Sequence, residues 1–297
     1  MSLVLVAGLG GVGRAVLAEL RAAGVAVRGL VPQADAWFDA GGAELVVGDP
    51  TRPEQVAAAL DGVDAVCFAM PVSRDHLLAA TVVASVARDR GGLCALVDLS
   101  QMTVSQMTTT SAGESDQHRL HFLAEAVFNW SGLPAVHLRP TVFLDNPLFT
   151  TLAAASIRRE GALVLPFGRG RTSPVAVADV ARVAATILRD PAPYTGFVFE
   201  LTGPRTVDMP TMAAEYSRAL AREIVYVDVD PAVWEAQVLA RSGLPPHVQN
   251  HVAATARLHR ENRYDRLTSD VELITGHPPE TIESFVHTRR DLYAPIS

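Results

Sequence analysis

A short apolar run, Ser2-Leu3-Val4-Leu5-Val6-Ala7, leads directly into Gly8-Leu9-Gly10-Gly11-Val12-Gly13-Arg14. Beyond it, apolar residues recur at helical spacing as Val12, Ala15, Val16 and Leu20. The order is strand, tight turn, helix, with glycines at the GxGxxG spacing of a phosphate-binding turn. The chemistry accounts for each glycine. Gly8 lets the chain turn sharply, Gly10 keeps the backbone bare where a pyrophosphate would lie, and Gly13 lets helix and strand pack closely. Leu9, Gly11 and Val12 complete the turn, and the unpaired N–H groups of the first helical residues face the anion. The motif predicts dinucleotide binding; the alternative is a turn whose glycines are only structural.

Four further apolar runs follow, at 25–31, 44–49, 64–69 and 93–99, interleaved with helical patterns at 53–60 and 76–88. Strands alternating with helices predict an α/β fold: a Rossmann-type doubly wound parallel sheet with ligands at the carboxyl ends of its strands. The 297 residues are 49% apolar, enough for a sizeable core. The net charge of −7 is spread along the chain without basic blocks, which argues against a nucleic-acid partner. Cys67 and Cys94 both lie in strand-like runs and read as buried small hydrophobes, not as a disulfide or metal pair. The chain opens on its first strand, with no cationic leader, and no apolar stretch has membrane length, so the expectation is a soluble cytoplasmic protein. There is no lysine, which excludes any mechanism built on one.

The strand ends carry the candidate cofactor contacts. The second strand closes on Val31-Pro32-Gln33, without the acid that often holds an adenosine ribose. Arg14 and Arg28 are candidate partners for a 2′-phosphate, which favours NADP (NADPH) over NAD; the plainer alternative is two solvated arginines. Asp49 could meet the adenine amino group, and Ala69-Met70-Pro71 could run beside the ribose and nicotinamide.

After the fifth strand come Ser100, Gln101 and Met102, then a polar loop and a helix from Asp116. Its apolar stripe, Leu120, Leu123, Ala124 and Val127, is expected to face the sheet. His118, His121 and Glu125 share another stripe, either turned into the cleft or forming a solvated face. Two histidines at this spacing lack an obvious third ligand, so no metal is expected.

At this point the sequence resembles the NmrA-like group of atypical short-chain dehydrogenases/reductases. The residues that carry the resemblance are the glycine turn, Val46-Val47-Gly48-Asp49, Ser131-Gly132-Leu133-Pro134, Leu138-Arg139-Pro140-Thr141-Val142-Phe143 and Asn146. The second half agrees, with residues 173–181, Leu201-Thr202-Gly203-Pro204 and Leu273-Ile274-Thr275-Gly276. The resemblance implies an NAD(P)-binding Rossmann domain at 1–150 and a smaller, mostly helical C-terminal lobe at 151–297 that closes a substrate cleft, with parts around 173–200 returning to the sheet. It also implies a family of quinone and azo-dye reductases, reductases of specialised metabolism, and regulators that bind dinucleotide without consuming it. Two features depart from the family pattern. Many relatives have a longer GxxGxxG turn with a threonine, and the Tyr-x-x-x-Lys pair of ordinary short-chain dehydrogenases is absent, its positions falling near Gln117 and His121.

Pro140 is placed beside the cofactor. Val142, Phe143, Phe149 and Asn146, with Gln101 and Met102, form a candidate substrate wall; alternatively Phe143 and Phe149 fill the core. Asp179, ahead of Val180, Val183, Ala184, Ile187 and Leu188, reads as a helix N-cap. Segments 209–221, 231–241, 247–259 and 279–287 read as helices of the C-terminal lobe.

The leading functional expectation is an NAD(P)H-dependent reductase of a small electrophilic acceptor such as a quinone or enone. Conjugation stabilises the reduced anion of such an acceptor, so the missing pair is tolerable. His121 or His118, at an ordinary pKa of roughly 6.5, would supply a proton, and Ser100 and Gln101 would position the substrate oxygen. The rivals are a non-catalytic NAD(P)-sensing regulator and a non-redox cyclase or isomerase. The expected partner is a small molecule rather than nucleic acid or membrane, and a homodimer is compatible with the sequence.

Overall fold

Leu3–Ala7 forms β1, buried from Val4 to Ala7 on both of its faces, as a central parallel strand must be. The computed structural model describes residues 3–32 and 42–295. After β1 come α1 (Gly11–Ala22), β2 (Ala26–Val31), β3 (Glu44–Val47), α2 (Pro53–Ala59), β4 (Ala65–Phe68), α3 (His76–Arg90), β5 (Ala95–Leu99), α4 (Asp116–Ser131) and β6 (Ala135–Pro140). There follow α5 (Ala154–Glu160), β7 (Ala162–Leu165), β8 (Arg171–Thr172), α6 (Val177–Arg189), β9 (Val198–Leu201) and β10 (Val207–Asp208). The chain continues with α7 (Met209–Leu220), β11 (Val225–Asp228), α8 (Pro231–Gln237), α9 (Pro246–Arg260), α10 (Asp270–Thr275) and α11 (Ile282–Thr288).

Seven strands make one sheet in the order β3-β2-β1-β4-β5-β6-β9, every neighbouring pair parallel. The chain winds one way from β1 through β2 and β3, and the other way through β4, β5 and β6. The strand order therefore reverses between β1 and β4, where a crevice opens above the carboxyl ends. Val16, Leu17 and Leu20 of α1 and Val180, Val183, Ala184 and Ile187 of α6 pack on one face of the sheet. Val56 of α2, Ala79, Ala80 and Val83 of α3, and Ala124 and Phe128 of α4 pack on the other. A separate core, built on Phe149, Phe167, Trp234 and Phe285, gathers the later elements. Although β9 comes late in the chain, it pairs with β6 in the main sheet.

Several expectations need correction. Strand β5 begins at Ala95, one residue after Cys94, so Cys94 is exposed while Cys67 is buried in β4. Arg28 is not at a strand end. It lies within β2, where its guanidinium bonds Glu44 at 2.9 Å and the carbonyls of Ala59 and Asp61 at 2.8 and 2.6 Å, so it ties the sheet edge to α2. Gln33 lies outside the described residues. Asp179 is not the N-cap of α6, which is Ala176; it sits in the first turn, accepts the Glu280 N–H at 2.8 Å and pairs with Arg182.

The inward face of α4 is the larger surprise. Gln117, His118, His121, Ala124, Glu125 and Phe128 are buried, whereas Leu120, Leu123 and Val127 are only partly so. The polar stripe faces inward because its groups find partners there: Glu125 grips Arg139 of β6 through two bonds of 2.9 and 2.5 Å. The solvated-face alternative is thereby excluded.

Candidate active site

Gly8 has φ +95°, and a Cβ there would lie 2.8 Å from the Ala69 carbonyl oxygen, at the end of β4. A Cβ on Gly13 would lie 2.0 Å from the Gly8 oxygen. These two glycines let the first turn of α1 cross over β1 in close contact. The N-cap, Gly10, makes no side-chain cap bond, and the space beside Gly11 is open to 4 Å. The leading N–H groups of α1 therefore meet no capping side chain at the mouth of the crevice. A glycine cradle with an open helix N-terminus fits the pyrophosphate of a dinucleotide.

Above the strand ends lies a cavity of about 460 Å³. Gly10, Gly11 and Val12 line it from the glycine turn, and Ala69, Met70, Pro71 and Val72 from the end of β4. Leu99, Ser100, Gln101 and Met102 contribute from β5 and the loop after it, and Pro140, Thr141, Val142, Phe143, Asp145, Asn146 and Pro147 from β6 and its continuation. His121 reaches it from α4 and Val177 from α6. The roof is α9, with Val248, His251, Val252 and Thr255, together with Tyr264.

The cavity thus brings together much of the site expected from sequence, though not all of it. Gly8, Leu9, Gly13 and Arg14 support the turn from behind, and Arg14 Nε holds the Leu9 carbonyl at 3.0 Å. Asp49 lies away from the cavity, where Oδ1 accepts the Thr51 N–H and hydroxyl at 2.8 and 2.7 Å. The Thr51 backbone bond, then its hydroxyl, hold the Asp49 pKa below the usual carboxylate range. Phe149 is fully buried in the second core, in edge-on contact with Phe167, and forms no substrate wall.

His118 also lies off the cavity. It is fully buried, and its Nδ1 accepts the Ser115 N–H at 3.2 Å while its own N–H returns to Ser115 Oγ, the capping box that starts α4. Ser115 Oγ is also 2.9 Å from Nδ1 of His251, linking α4 to the roof. His251 and Tyr264 carry no local motif, and only the assembled fold brings them to the cavity; Thr141 lies within the Leu138–Phe143 motif but is not among the candidate site residues read from the sequence.

The His121 ring lies 4.1 Å from that of His76, at the start of α3, the two planes tilted by 54°. Burial holds both imidazoles neutral. It pushes His76 down to about 4, and it carries His121 well below its ordinary value, with His76, His251 and His118 adding to the effect. Neither His121 nor His118 is the ready imidazolium that an ordinary pKa would imply. Behind this site, burial raises the Asp98 pKa. Burial opposes the charge on its partner His137, but the 2.9 Å bond to Asp98 and the Asp98 charge outweigh it and hold His137 above its usual range. Asp98, His137 and Glu125 lie close enough to share an ion. Each is already engaged, however, with Asn129 on His137 and Arg139 on Glu125, and the cluster is a polar core rather than a metal centre.

Around the cavity, Ser100 Oγ, Gln101 Nε2, Thr141 Oγ1 and His121 Nδ1 are buried without a partner among the described residues. A buried polar atom left unpaired costs roughly 1–3 kcal/mol. The four residues that carry these atoms line one cavity, which makes it the candidate place for a polar ligand.

The model of the NAD(P)H-binding family matches residues 8–191, most of the sheet and the whole glycine turn. The chain belongs to the NAD(P)H-binding family. It is 25% identical to an NAD(P)H azoreductase of Xenophilus azovorans over 95% of this chain and 96% of that one. The fold superposes on an NADPH-dependent quinone oxidoreductase from Escherichia coli, crystallised with NADPH, at a TM-score of 0.84 and 20% identity, covering 97% and 99% of the two chains. It also superposes on NmrA, a negative transcriptional regulator, at a TM-score of 0.79 and 18% identity, covering 96% and 94% of the two chains. The chain shares the fold of these solved structures. No helix among the described residues is long and apolar enough to cross a membrane.

Proposed function

We propose that this NAD(P)H-binding protein is an oxidoreductase that reduces a small electrophilic acceptor, a quinone or a conjugated enone, with NADPH preferred. The observation that carries the reading is the convergence of the glycine turn and the four unpartnered polar atoms on one cavity. The full-length likeness to an NAD(P)H azoreductase supports the redox class.

NAD(P)H, when bound, supplies the hydride. Gly10, Gly11 and Val12 hold the pyrophosphate, with Gly8, Leu9 and Gly13 shaping the turn. Ala69, Met70, Pro71 and Pro140 flank the ribose and nicotinamide, and Asp49 meets the adenine. Arg14, exposed in the first turn of α1, meets a 2′-phosphate; with Arg28 tied to Glu44, Arg14 alone supports the preference for NADP. Met102, Val142 and Phe143 hold the acceptor ring and exclude water. Ser100 and Gln101, with Asn146 at the rim, position its oxygen. His121 acts as a neutral donor: its N–H hydrogen-bonds the oxygen on which charge develops.

The test is NADPH oxidation across a panel of neutral quinones and enones, repeated with His121→Ala. Oxidation that depends on acceptor and falls in the variant supports the reading. Binding of NADPH without oxidation of any acceptor would overturn it in favour of a dinucleotide-sensing regulator, a reading supported by the absent Tyr-x-x-x-Lys pair and the likeness to NmrA.

A further inference from the structure

We infer that the cavity selects uncharged acceptors against acidic ones, and that Asp145 sets this discrimination. The inference rests on the reductase reading and specifies the substrate class of that same site.

The charge census is one-sided. Asp145 is the one Asp, Glu or Arg side chain among the lining residues. The chain has no lysine, and residues 1–2, 33–41 and 296–297, which lie outside the description, contain no arginine. His121 and His251 bring no positive charge, since burial lowers both, His251 to about 4. The guanidiniums that reach this region act on His118 and are occupied: Arg257 holds the Gly113 carbonyl, and Arg263 holds Gln106 and Glu114. Asp145 is fixed in place, its Oδ2 accepting the Val177 N–H at 2.9 Å at the start of α6.

The unpartnered groups are neutral as well. Hydroxyls of Ser100 and Thr141, the amide of Gln101 and the imidazole of His121 suit a carbonyl oxygen, which sheds its weakly held water at little cost. A carboxylate or sulfonate entering the same space loses a strong hydration shell, meets no counter-charge, and feels repulsion from Asp145 across a low-dielectric cavity. With the dinucleotide pyrophosphate on the N–H groups at the start of α1, no other group in the lining rewards it for entering.

The experiment compares two acceptors of one size and ring potential: a naphthoquinone with a propionate side chain and the primary amide of the same side chain. NADPH oxidation is followed for the wild type, for Asp145→Asn, which keeps an oxygen for the Val177 N–H, and for Val248→Arg, which adds a guanidinium from the roof. The wild type should favour the amide over the acid by at least about tenfold in kcat/KM. Asp145→Asn should narrow that ratio by about threefold or more, and Val248→Arg should narrow or reverse it. Equal kcat/KM for amide and acid in the wild type overturns the inference, as does a ratio that a folded Asp145→Asn leaves unchanged. If Asp145→Asn fails to fold, Val248→Arg decides. If no variant turns over either quinone, the reductase reading itself falls, and calorimetric titration of the two quinones into the NADPH-loaded protein decides selectivity; equal affinities overturn it.

Discussion

Gln117 Nε2 lies 3.1 Å from His121 Nε2, while its Oε1 takes the Ser73 N–H at 3.1 Å. With the amide oxygen occupied, the amide nitrogen donates and His121 Nε2 accepts, which places the imidazole proton on Nδ1. Nδ1 is the atom left buried without a partner. Gln117 and His121, near which the resemblance places the missing tyrosine and lysine, are thus an amide and an imidazole bonded to one another.

On the proposed reading, His121→Ala removes a hydrogen-bond donor used only when charge builds on the acceptor oxygen. It should lower kcat with a quinone by roughly tenfold to a hundredfold and leave the NADPH dissociation constant within about twofold. Gln117→Leu, which only frees the tautomer and orientation, should lie between the variant and the wild type. Steady-state kinetics alongside fluorescence titration of NADPH measure both quantities.

Gly13→Ala would drive a methyl group to 2.0 Å from the Gly8 oxygen. The turn must open to admit it, at a cost of roughly 1–3 kcal/mol in stability, and the phosphate cradle opens with it. Thermal unfolding should show the lower Tm, and NADPH affinity should fall more than about tenfold. An unaltered affinity would contradict the role given to the turn.

Glu125 and Arg139 form a largely buried two-point ion pair between α4 and β6. Glu125→Ala leaves the guanidinium buried without its partner and should destabilise the protein by about 3–5 kcal/mol. The double variant Glu125→Leu with Arg139→Met removes both charges and should recover part of that loss, as chemical denaturation would show.

The buried histidines make stability depend on pH. His76, His251 and His259 titrate near 4 in the folded protein because burial penalises their charged forms, against about 6.5 when unfolded. Between those values the unfolded chain binds more protons than the folded one. Their contribution is therefore complete above about pH 6.5 and is lost as the pH falls towards 4. A loss of about 2 kcal/mol already lowers Tm by several degrees in a chain of this size. Thermal unfolding between pH 7.5 and 4.5 should show Tm dropping steadily, and a flat profile would contradict the burial of these rings.

The alternation of apolar runs and helical stripes was enough to read the parallel sheet, because a strand buried on both faces must be continuously apolar. The glycine turn was legible because Gly8 and Gly13 answer local steric needs. Four features were not legible. The orientation of α4 could not be read from its apolar stripe, because the deciding partner of Glu125, Arg139, lies on β6 and its pairing depends on tertiary structure. His118 and His121 look equivalent in sequence, yet one is spent on capping α4 while the other reaches the cavity. Arg28 looked like a phosphate ligand until Glu44 of the neighbouring strand claimed it. The roof of the cavity was hidden for the same reason: His251 and Tyr264 are brought there by packing of the C-terminal elements.

The most direct test of the account is a fluorescence titration of the purified protein with NADPH and with NADH, followed in the same cuvette by a neutral quinone. The account predicts saturable binding, tighter for NADPH, and then oxidation of the bound cofactor when the quinone is added. Absence of binding by either nucleotide would contradict the assignment of the turn through Gly8, Gly10 and Gly13, on which every proposed role in the cavity depends.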